Sequence, residues 1–392
     1  MLELASALFL TLVAANPGDE TPALSPYAQD IASLATLEPQ QVPLEVKSRL
    51  ERLGLRAIWS ASEQTLIAKQ EVQDPSAIRL LLVAHMDYKV PESSLIKVYQ
   101  SPSMGETIQG PGVHDNLGGV VSLIELIKLL KSTDLWPRID LRVFVSNDGQ
   151  EWRSKSRASE EALLNFAQKP LDMALVFEPG INSGTASKDH GIILPSALLG
   201  SYELHLRVEQ AEGSESRNVI DGLMMVLRYF KDWNREGRHI VPESVDSPAS
   251  SHSATASFTF EFRDDAATFQ DELAGKRDEL QAHLHRSGFR VIAVKDELRW
   301  SPSPILTPDQ MKFLTRAGED AGIPRLEFHD TSHRGTDVIL QRKGISAVGG
   351  LGLIGSSAKG KKPEYASVTS MQQRLRLCVQ IVQNLSSAKL TP

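Results

Sequence analysis

Residues 79–87, with the sequence RLLLVAHMD, decide the fold of this chain. Residues 79–84 form a short and almost continuous apolar run, which is typical of a β-strand buried on both faces. The run ends directly at His85 and Asp87. A carboxylate in this position can fix the tautomer of the imidazole through one ring nitrogen, so that the other nitrogen can bind a metal ion. The same two residues are also compatible with an ordinary hydrogen-bonded surface pair.

Two further apolar runs predict buried strands of the same kind, residues 139–145 (IDLRVFV) and residues 173–177 (MALVF). Between the first strand and the second, residues 120–130 have the apolar spacing of a helix. Strands that alternate with helices predict an α/β domain with a mostly parallel mixed sheet flanked by helices. Ligands of such sheets bind beyond the carboxyl ends of the strands. The polar residues predicted at this edge are His85, Asp87, Asp148 and Glu178.

A glycine-rich loop, residues 110–119 (GPGVHDNLGG), carries Asp115. Glycines let the backbone bend tightly, so this loop can direct the carboxylate into a cleft, although a solvated turn fits the same residues. Glu178 follows an apolar strand, where burial is costly unless a cation, a hydrogen-bond donor or water faces the carboxylate.

The middle third of the chain has a different pattern. Residues 201–208 (SYELHLRV) and 257–263 (SFTFEFR) alternate apolar and polar side chains, and helical stretches lie at residues 219–233 and 269–285. This combination predicts an α+β sandwich inserted into the sheet domain. The Pro- and Ser-rich residues 241–253 predict a loop within it. We therefore expect a sheet domain of residues 1–199 and 303–392 and an inserted domain of residues 200–302.

Composition limits the kinds of partner. The 42 basic and 49 acidic side chains give a formal charge of −7, which argues against nucleic-acid binding and against attachment to an anionic membrane. Small molecules or peptides are better candidates. Cys378 is the only cysteine, so a metal ion would have to be held by histidine and carboxylate side chains.

The first residues allow two interpretations. Residues 4–15 are apolar, but no Lys or Arg precedes them, and Glu3 stands where a signal peptide carries basic residues. We favour a buried first helix and a cytoplasmic protein. A signal peptide, which would make the protein secreted or periplasmic, is the alternative.

The order of these motifs resembles that of a family of zinc exopeptidases and deacylases. This family includes acetylornithine deacetylase, succinyl-diaminopimelate desuccinylase, aminoacylase and bacterial glutamate carboxypeptidase. The matching stretches are residues 82–91 (its His-x-Asp strand end), 110–119 (its bridging-aspartate loop), 177–179 (its later metal carboxylate), 216–220 (the start of its lid helix), 260–263 (its arginine strand) and 333–355 (its return to the zinc domain).

The resemblance implies a zinc ion held by His85, Asp115 and Glu178, with Asp87 supporting His85. It assigns Arg263 and Asn218 to substrate binding, with Arg263 holding a carboxylate. The implied substrates are small peptides or N-acyl amino acids. The inserted domain would act as a lid that can also form a homodimer, for which residues 201–208 would offer an edge strand.

Other positions depart from the family pattern. Gly149 and Gln150 replace two glutamates, a general base and a ligand of a second metal, and Gly360 replaces a histidine ligand. The lid segment also lacks the histidine that stabilises an oxyanion. A shifted Asp148 or Glu151 could act as the base. Histidines that could rebuild a second site, but that are equally compatible with ordinary polar roles, are His114, His190, His329 and His333.

Two functions remain open from the sequence. The first is a divergent amide hydrolase that uses one zinc ion rather than two. The second is a catalytically inactive relative that keeps the fold for binding or assembly. The surviving first-metal residues favour the hydrolase, because charged groups collected at strand ends cost free energy when nothing pairs with them.

Overall fold

A computed structural model describes residues 24–87, 95–147, 158–168, 170–181, 191–212, 218–234, 238–246, 253–332, 335–357 and 363–390. These residues fall into two compact units. The first lies within Met1–Ser196, Ile305–His329 and Gly335–Pro392, and the second within Ala197–Pro304 and Asp330–Arg334.

A six-stranded mixed sheet forms the centre of the first unit. Its strands are, in spatial order, β1 (Arg56–Ser60), β2 (Thr65–Gln70), β6 (Ile139–Ser146), β3 (Ile78–His85), β7 (Met173–Val176) and β15 (Ala347–Val348). The last four are mutually parallel, and β1 and β2 continue the sheet antiparallel. Almost all residues of β3, β6 and β7 are buried, as their apolar runs predict. The mostly parallel mixed sheet expected from the sequence is confirmed.

Helices accompany this sheet, and sequence signals fix several of their ends. Ser25 caps the first helix with its side chain, and Thr307 and Gln310 form a capping box at another. No helix in the described part of the chain has both the length and the apolar character needed to cross a bilayer. The helices of this unit are α1 (Pro26–Ala35), α2 (Val42–Arg52), α3 (Gly118–Lys131), α4 (Ala158–Phe166), α7 (Pro308–Asp320), α8 (Thr336–Gln341) and α9 (Thr369–Leu390).

Outside the two main sheets, the described residues also form two small sheets and two short helical turns. The first sheet is antiparallel, with the order β16 (Gly355–Ser356), β17 (Tyr365–Ser367), β5 (Gly105–Gln109) and β4 (Lys97–Ser101). The second has the order β13 (Ser303–Pro304), β8 (Ile192–Leu198) and β14 (Leu326–Thr331). The helical turns are Val113–Leu117, in the glycine-rich loop, and Trp136–Arg138, before β6.

The second unit is an α+β insertion. Its antiparallel sheet has the order β10 (Arg238–Asp246), β11 (Ser253–Phe262), β9 (Gly200–Gln210) and β12 (Phe289–Trp300). The helices α5 (Val219–Trp233) and α6 (Ala266–Arg286) share one apolar core with one face of this sheet. Aromatic rings fill the core, and the rings of Phe262 and Phe269 stack with their centroids 3.9 Å apart.

Two expectations for this unit are wrong. Residues 201–208 are not an edge strand, because β9 lies between β11 and β12 and its backbone is paired on both sides. Part of the loop expected at residues 241–253 is instead strand β10, which pairs with β11 despite Pro242. The register is irregular between Pro242 and Ser244, and β10 is an edge strand, where proline is tolerated.

Candidate metal centre

His85 is the last residue of β3, and carboxylates face both of its ring nitrogens. Nδ1 lies 2.9 Å from Oδ1 of Asp87, and Nε2 lies 3.0 Å from Oδ1 of Asp115. Only 8% of His85 is exposed. The parallel sheet and the glycine-rich loop therefore bring together three of the residues that the sequence singles out.

The two carboxylates determine the charge of His85. Burial by itself lowers the pKa of the imidazole, but the hydrogen bonds to Asp115 and Asp87 outweigh this effect and raise the pKa from 6.5 to about 10. The ring is therefore protonated at neutral pH in the metal-free protein. If Nε2 were to hold a metal ion, His85 would have to give up the proton that faces Asp115, so binding would release a proton.

Several contacts hold the loop that carries Asp115. Gly112 has a φ of 69°, a left-handed conformation that favours glycine. The carboxylate of Glu364 accepts hydrogen bonds from the backbone amides of Gly112, His114 and Asp115 at 3.0, 2.7 and 2.7 Å. The peptide bond between Asp115 and Asn116 is cis.

Asn116 connects this loop to the end of β7. It is fully buried, and its side-chain amide donates to the backbone carbonyl of Phe177 at 2.7 Å. A Cβ atom on Gly119 would lie only 2.0 Å from the same carbonyl oxygen, so a side chain cannot be accommodated there without a shift. The loop is thus packed directly against the strand that leads to Glu178.

Glu178 is buried, with 9% of its surface exposed, and it contacts the start of α8. Its Oε1 atom accepts hydrogen bonds from the backbone amide of Thr336, at 2.7 Å, and from the Thr336 hydroxyl. Gly335 approaches the other oxygen so closely that a Cβ there would lie 2.4 Å from Oε2. These donors satisfy the hydrogen-bonding capacity of a carboxyl oxygen that is buried from water.

The residues fit a metal ion in part. Two ligand atoms of a tetrahedral zinc ion lie about 3.3 Å apart when each bond is about 2.0 Å. The 3.0 Å between His85 Nε2 and Asp115 Oδ1 is close to that separation. However, within the ranges that the structure describes, no three His, Cys, Asp or Glu side chains are gathered as a metal site. His85 and Asp115 thus form two thirds of the expected set, and Glu178 does not complete it in this arrangement.

Several predicted residues lie outside the described residues. They are the candidate bases Asp148 and Glu151, the departures Gly149, Gln150 and Gly360, and the histidines His190 and His333. Of the other two histidines, His114 has its Nδ1 3.3 Å from the Ser357 hydroxyl, and His329 pairs with Glu327 on its own strand at 3.3 Å.

The two predicted substrate-binding residues lie in the second unit. Arg263 is 59% exposed at its side chain and forms an ion pair with Asp330, with Nε 2.7 Å from Oδ2. Asn218 caps α5, since its Oδ1 accepts from the backbone amide of Ile220 at 3.0 Å. Both side chains thus have structural contacts in addition to any role with a substrate.

Sequence reasoning missed three contributors to this centre: Glu364, Thr336 and Asn116. Each acts through a hydrogen bond between segments that are far apart in the chain, from 61 to 252 residues. A hydrogen bond of this kind produces no periodic pattern in the neighbouring sequence, so local patterns do not predict it. The sequence offers one signal, position, because Glu364 lies four residues after Gly360, where the family that the chain resembles has a histidine ligand.

No known protein-family description and no curated protein matches the sequence. Solved structures do match the fold. A tripeptidase from Staphylococcus aureus superimposes with a TM-score of 0.68 at 12% identity, covering 92% of this chain and 98% of that one. A dinuclear metal-binding peptidase of the M20 family from Bacillus subtilis gives 0.61 at 10% identity, covering 91% and 97%. Human carnosine dipeptidase 1 gives 0.57 at 10% identity, covering 92% and 97%.

These matches extend over nearly the whole of each chain. The chain therefore has the fold of M20-type metallopeptidases and dipeptidases, as the resemblance of its motifs implied.

Proposed function

We propose that this protein is a metal-dependent hydrolase of amide bonds in small peptides or N-acyl amino acids, and that it uses one zinc ion. The observation that carries the proposal is the buried His85 imidazole, held between Asp87 and Asp115 at the carboxyl end of a parallel strand. This is the position at which α/β sheets bind ligands. The fold is one that peptidases of small substrates also have.

His85 and Asp115 would hold the ion, and Glu178 would join them by turning away from Thr336. Asp87 would accept a hydrogen bond from Nδ1–H and so keep the Nε2 lone pair directed at the ion. A zinc ion in such a site supplies a Lewis acid that polarises a carbonyl group and lowers the pKa of a water molecule.

The remaining roles fall to residues of this chain. Asp148 or Glu151, outside the described residues, would accept the proton from the attacking water. Arg263 would bind the carboxylate of the substrate in place of Asp330, and Asn218 would contribute at the start of α5. A homodimer through the second unit would use β10 or β12, since these are the edge strands of its sheet.

A hydrolysis assay tests this function. Zinc-loaded protein would be incubated with panels of dipeptides, tripeptides and N-acetyl amino acids, and released amines would be quantified. We expect turnover by the wild type and a loss of at least about 100-fold in His85→Ala. His283→Ala, which removes an exposed histidine from α6, is the matched control and should retain full activity.

The contact between Glu178 and Thr336 favours a second candidate, a non-catalytic relative that binds small peptides or assembles with partners. The same assay separates the two. If the wild type binds zinc but hydrolyses every substrate class no faster than His85→Ala does, the result would favour this candidate over the hydrolase.

A further inference from the structure

Three backbone amides of the loop that carries Asp115 point at one carboxylate. Oε1 of Glu364 accepts from the amides of His114 and Asp115, both at 2.7 Å, and Oε2 accepts from Gly112 at 3.0 Å. Glu364 is half-buried, so these bonds form in a partly desolvated environment. Hydrogen bonds to an ionised carboxylate are about twice as strong as those between neutral groups.

The backbone around Glu364 is itself fixed to the strand that precedes the loop. Its carbonyl accepts from the amide of Gly110 at 3.1 Å, and the next residue, Tyr365, begins β17 opposite Gln109 of β5. The Glu364 side chain therefore extends from a sheet, and the loop is attached to that sheet by both backbone and side-chain bonds.

A glutamine at this position could not accept these three bonds. A carboxylate has two acceptor oxygens and no donor, whereas a glutamine of the same size replaces one oxygen with an NH₂ group. In either orientation of the amide, that NH₂ group would face at least one backbone N–H. The three bonds therefore depend on the two acceptor oxygens of glutamate and not only on its volume.

We propose that Glu364 is the positioning residue of the metal centre, which holds the Asp115 carboxylate at the distance from His85 that a shared ion requires. The amide that Glu364 binds and the carboxylate that faces His85 belong to the same residue, so fixing one restricts the other. This inference rests on the proposed function, because it concerns the affinity of that centre for its ion.

The experiment compares Glu364→Gln with Glu106→Gln. Glu106 lies on β5, is also half-exposed, and accepts one backbone amide, from Ser25 at 2.9 Å, outside the loop. A glutamine can still accept that single bond. The zinc dissociation constant of each full-length variant would be measured by competition with a chromophoric chelator, and its melting temperature in EDTA would be recorded.

We expect Glu364→Gln to bind zinc about 10- to 100-fold more weakly than the wild type, as replacements of supporting residues around metal sites commonly do. Glu106→Gln should match the wild type within about twofold. Zinc affinity in Glu364→Gln equal to that of the wild type would overturn the positioning role and leave the proposed function intact.

A wild type that binds no zinc would instead contradict the proposed function. In that case, amide hydrogen exchange would test, independently of zinc, whether Glu364 holds the loop that carries Asp115. Faster exchange in the peptide that contains Gly112, His114 and Asp115, seen in Glu364→Gln but not in Glu106→Gln, would support its hold on the loop. Unchanged exchange would refute it.

Discussion

In the proposed function, His85 has two states, one without a metal ion and one with an ion bound. Without a metal ion its imidazolium binds the carboxylates of Asp87 and Asp115, which raises its pKa to about 10. In the proposed zinc-bound state, Asp87 would keep its hydrogen bond to Nδ1 and Nε2 would bind the ion. Asp87 would therefore pair with His85 in both states, whereas Asp115 would exchange its contact with Nε2 for the ion.

Arg263 gives the first prediction at this scale. Because Asp330 already pairs with its guanidinium, a substrate carboxylate bound by Arg263 as proposed would have to compete with Asp330. Asp330→Asn removes the competitor, and the inhibition constant of carboxylate-bearing inhibitors should fall several-fold, whereas Arg263→Ala should raise it by about 10- to 100-fold. Inhibition constants measured with zinc-loaded protein test both. Equal inhibition of all three proteins would remove Arg263 from the binding site.

Among the elements, α9 contains a buried charge for which the described part of the chain provides no counter-ion. Arg374 is 1% exposed, and within the described residues its Nη1 and Nη2 atoms have no hydrogen-bond partner. Its Nε donates only to the carbonyl of Gly350, at 3.3 Å. Burial lowers the pKa of Arg374 to about 10, so it is still charged at neutral pH. An arrangement of this kind costs stability.

We therefore predict that Arg374→Met stabilises the protein. Methionine fills a similar length without a charge, and the free energy of unfolding should rise by about 1–3 kcal/mol. Urea denaturation measures the change. Arg376→Met, at an exposed position of the same helix, is the control and should alter it by less than about 0.5 kcal/mol. A decrease in Arg374→Met would show that the guanidinium has stabilising contacts that outweigh its desolvation.

Strand β9 presents the opposite case, a carboxylate with several donors. Glu203 accepts from His205 at 2.7 Å, from Arg299 at 2.6 and 2.9 Å, and from Lys295. Burial raises the pKa of Glu203, but the bonds from Lys295, Arg299 and His205 outweigh burial and lower the pKa from 4.5 to about 2.

This shift predicts a pH-dependent contribution to stability. Because the pKa is lower in the folded state, the contribution is complete above about pH 4.5 and is lost as the pH falls towards about 2. Glu203→Gln should lower the free energy of unfolding by about 1–3 kcal/mol at about pH 6, and the difference from the wild type should shrink at about pH 3. Denaturant titrations in EDTA at both pH values would measure this difference in the free energy of unfolding.

The control for this prediction is Glu209→Gln on the same strand. Glu209 forms one ion pair, with Arg207 at 3.6 Å on the surface, so its loss should cost less than about 0.5 kcal/mol. A Glu203→Gln effect that is as large at about pH 3 as at about pH 6 would contradict the assigned cause.

For some elements, the local sequence pattern is sufficient to predict the structure. The apolar runs of β3, β6 and β7 predict buried strands because both faces of a parallel sheet are covered. The place of β9 in its sheet could not be predicted, because alternation specifies which face is buried but not which neighbours pair. Residues 241–246 were misassigned because Pro and Ser favour loops, while pairing with β11 overrides that preference.

At the scale of the whole molecule, the sheet topology explains why residues far apart in sequence form one centre. The parallel order β6, β3, β7 brings the carboxyl ends of the strands to one edge, where His85 is the last residue of β3 and Glu178 follows β7. This topology does not predict that Glu178 binds Thr336 or that Glu364 holds the Asp115 loop. Both contacts are made by segments of the first unit that follow the inserted unit in the sequence.

The zinc content of the purified protein tests the central claim most directly. Elemental analysis would be performed after zinc loading and desalting, on the wild type, Asp115→Ala and the control Asp134→Ala, which removes an exposed carboxylate from the turn after α3. We predict about one zinc per chain in the wild type and in the control, and almost none in Asp115→Ala. Folded wild-type protein without zinc, or zinc content unchanged in Asp115→Ala, would contradict the account.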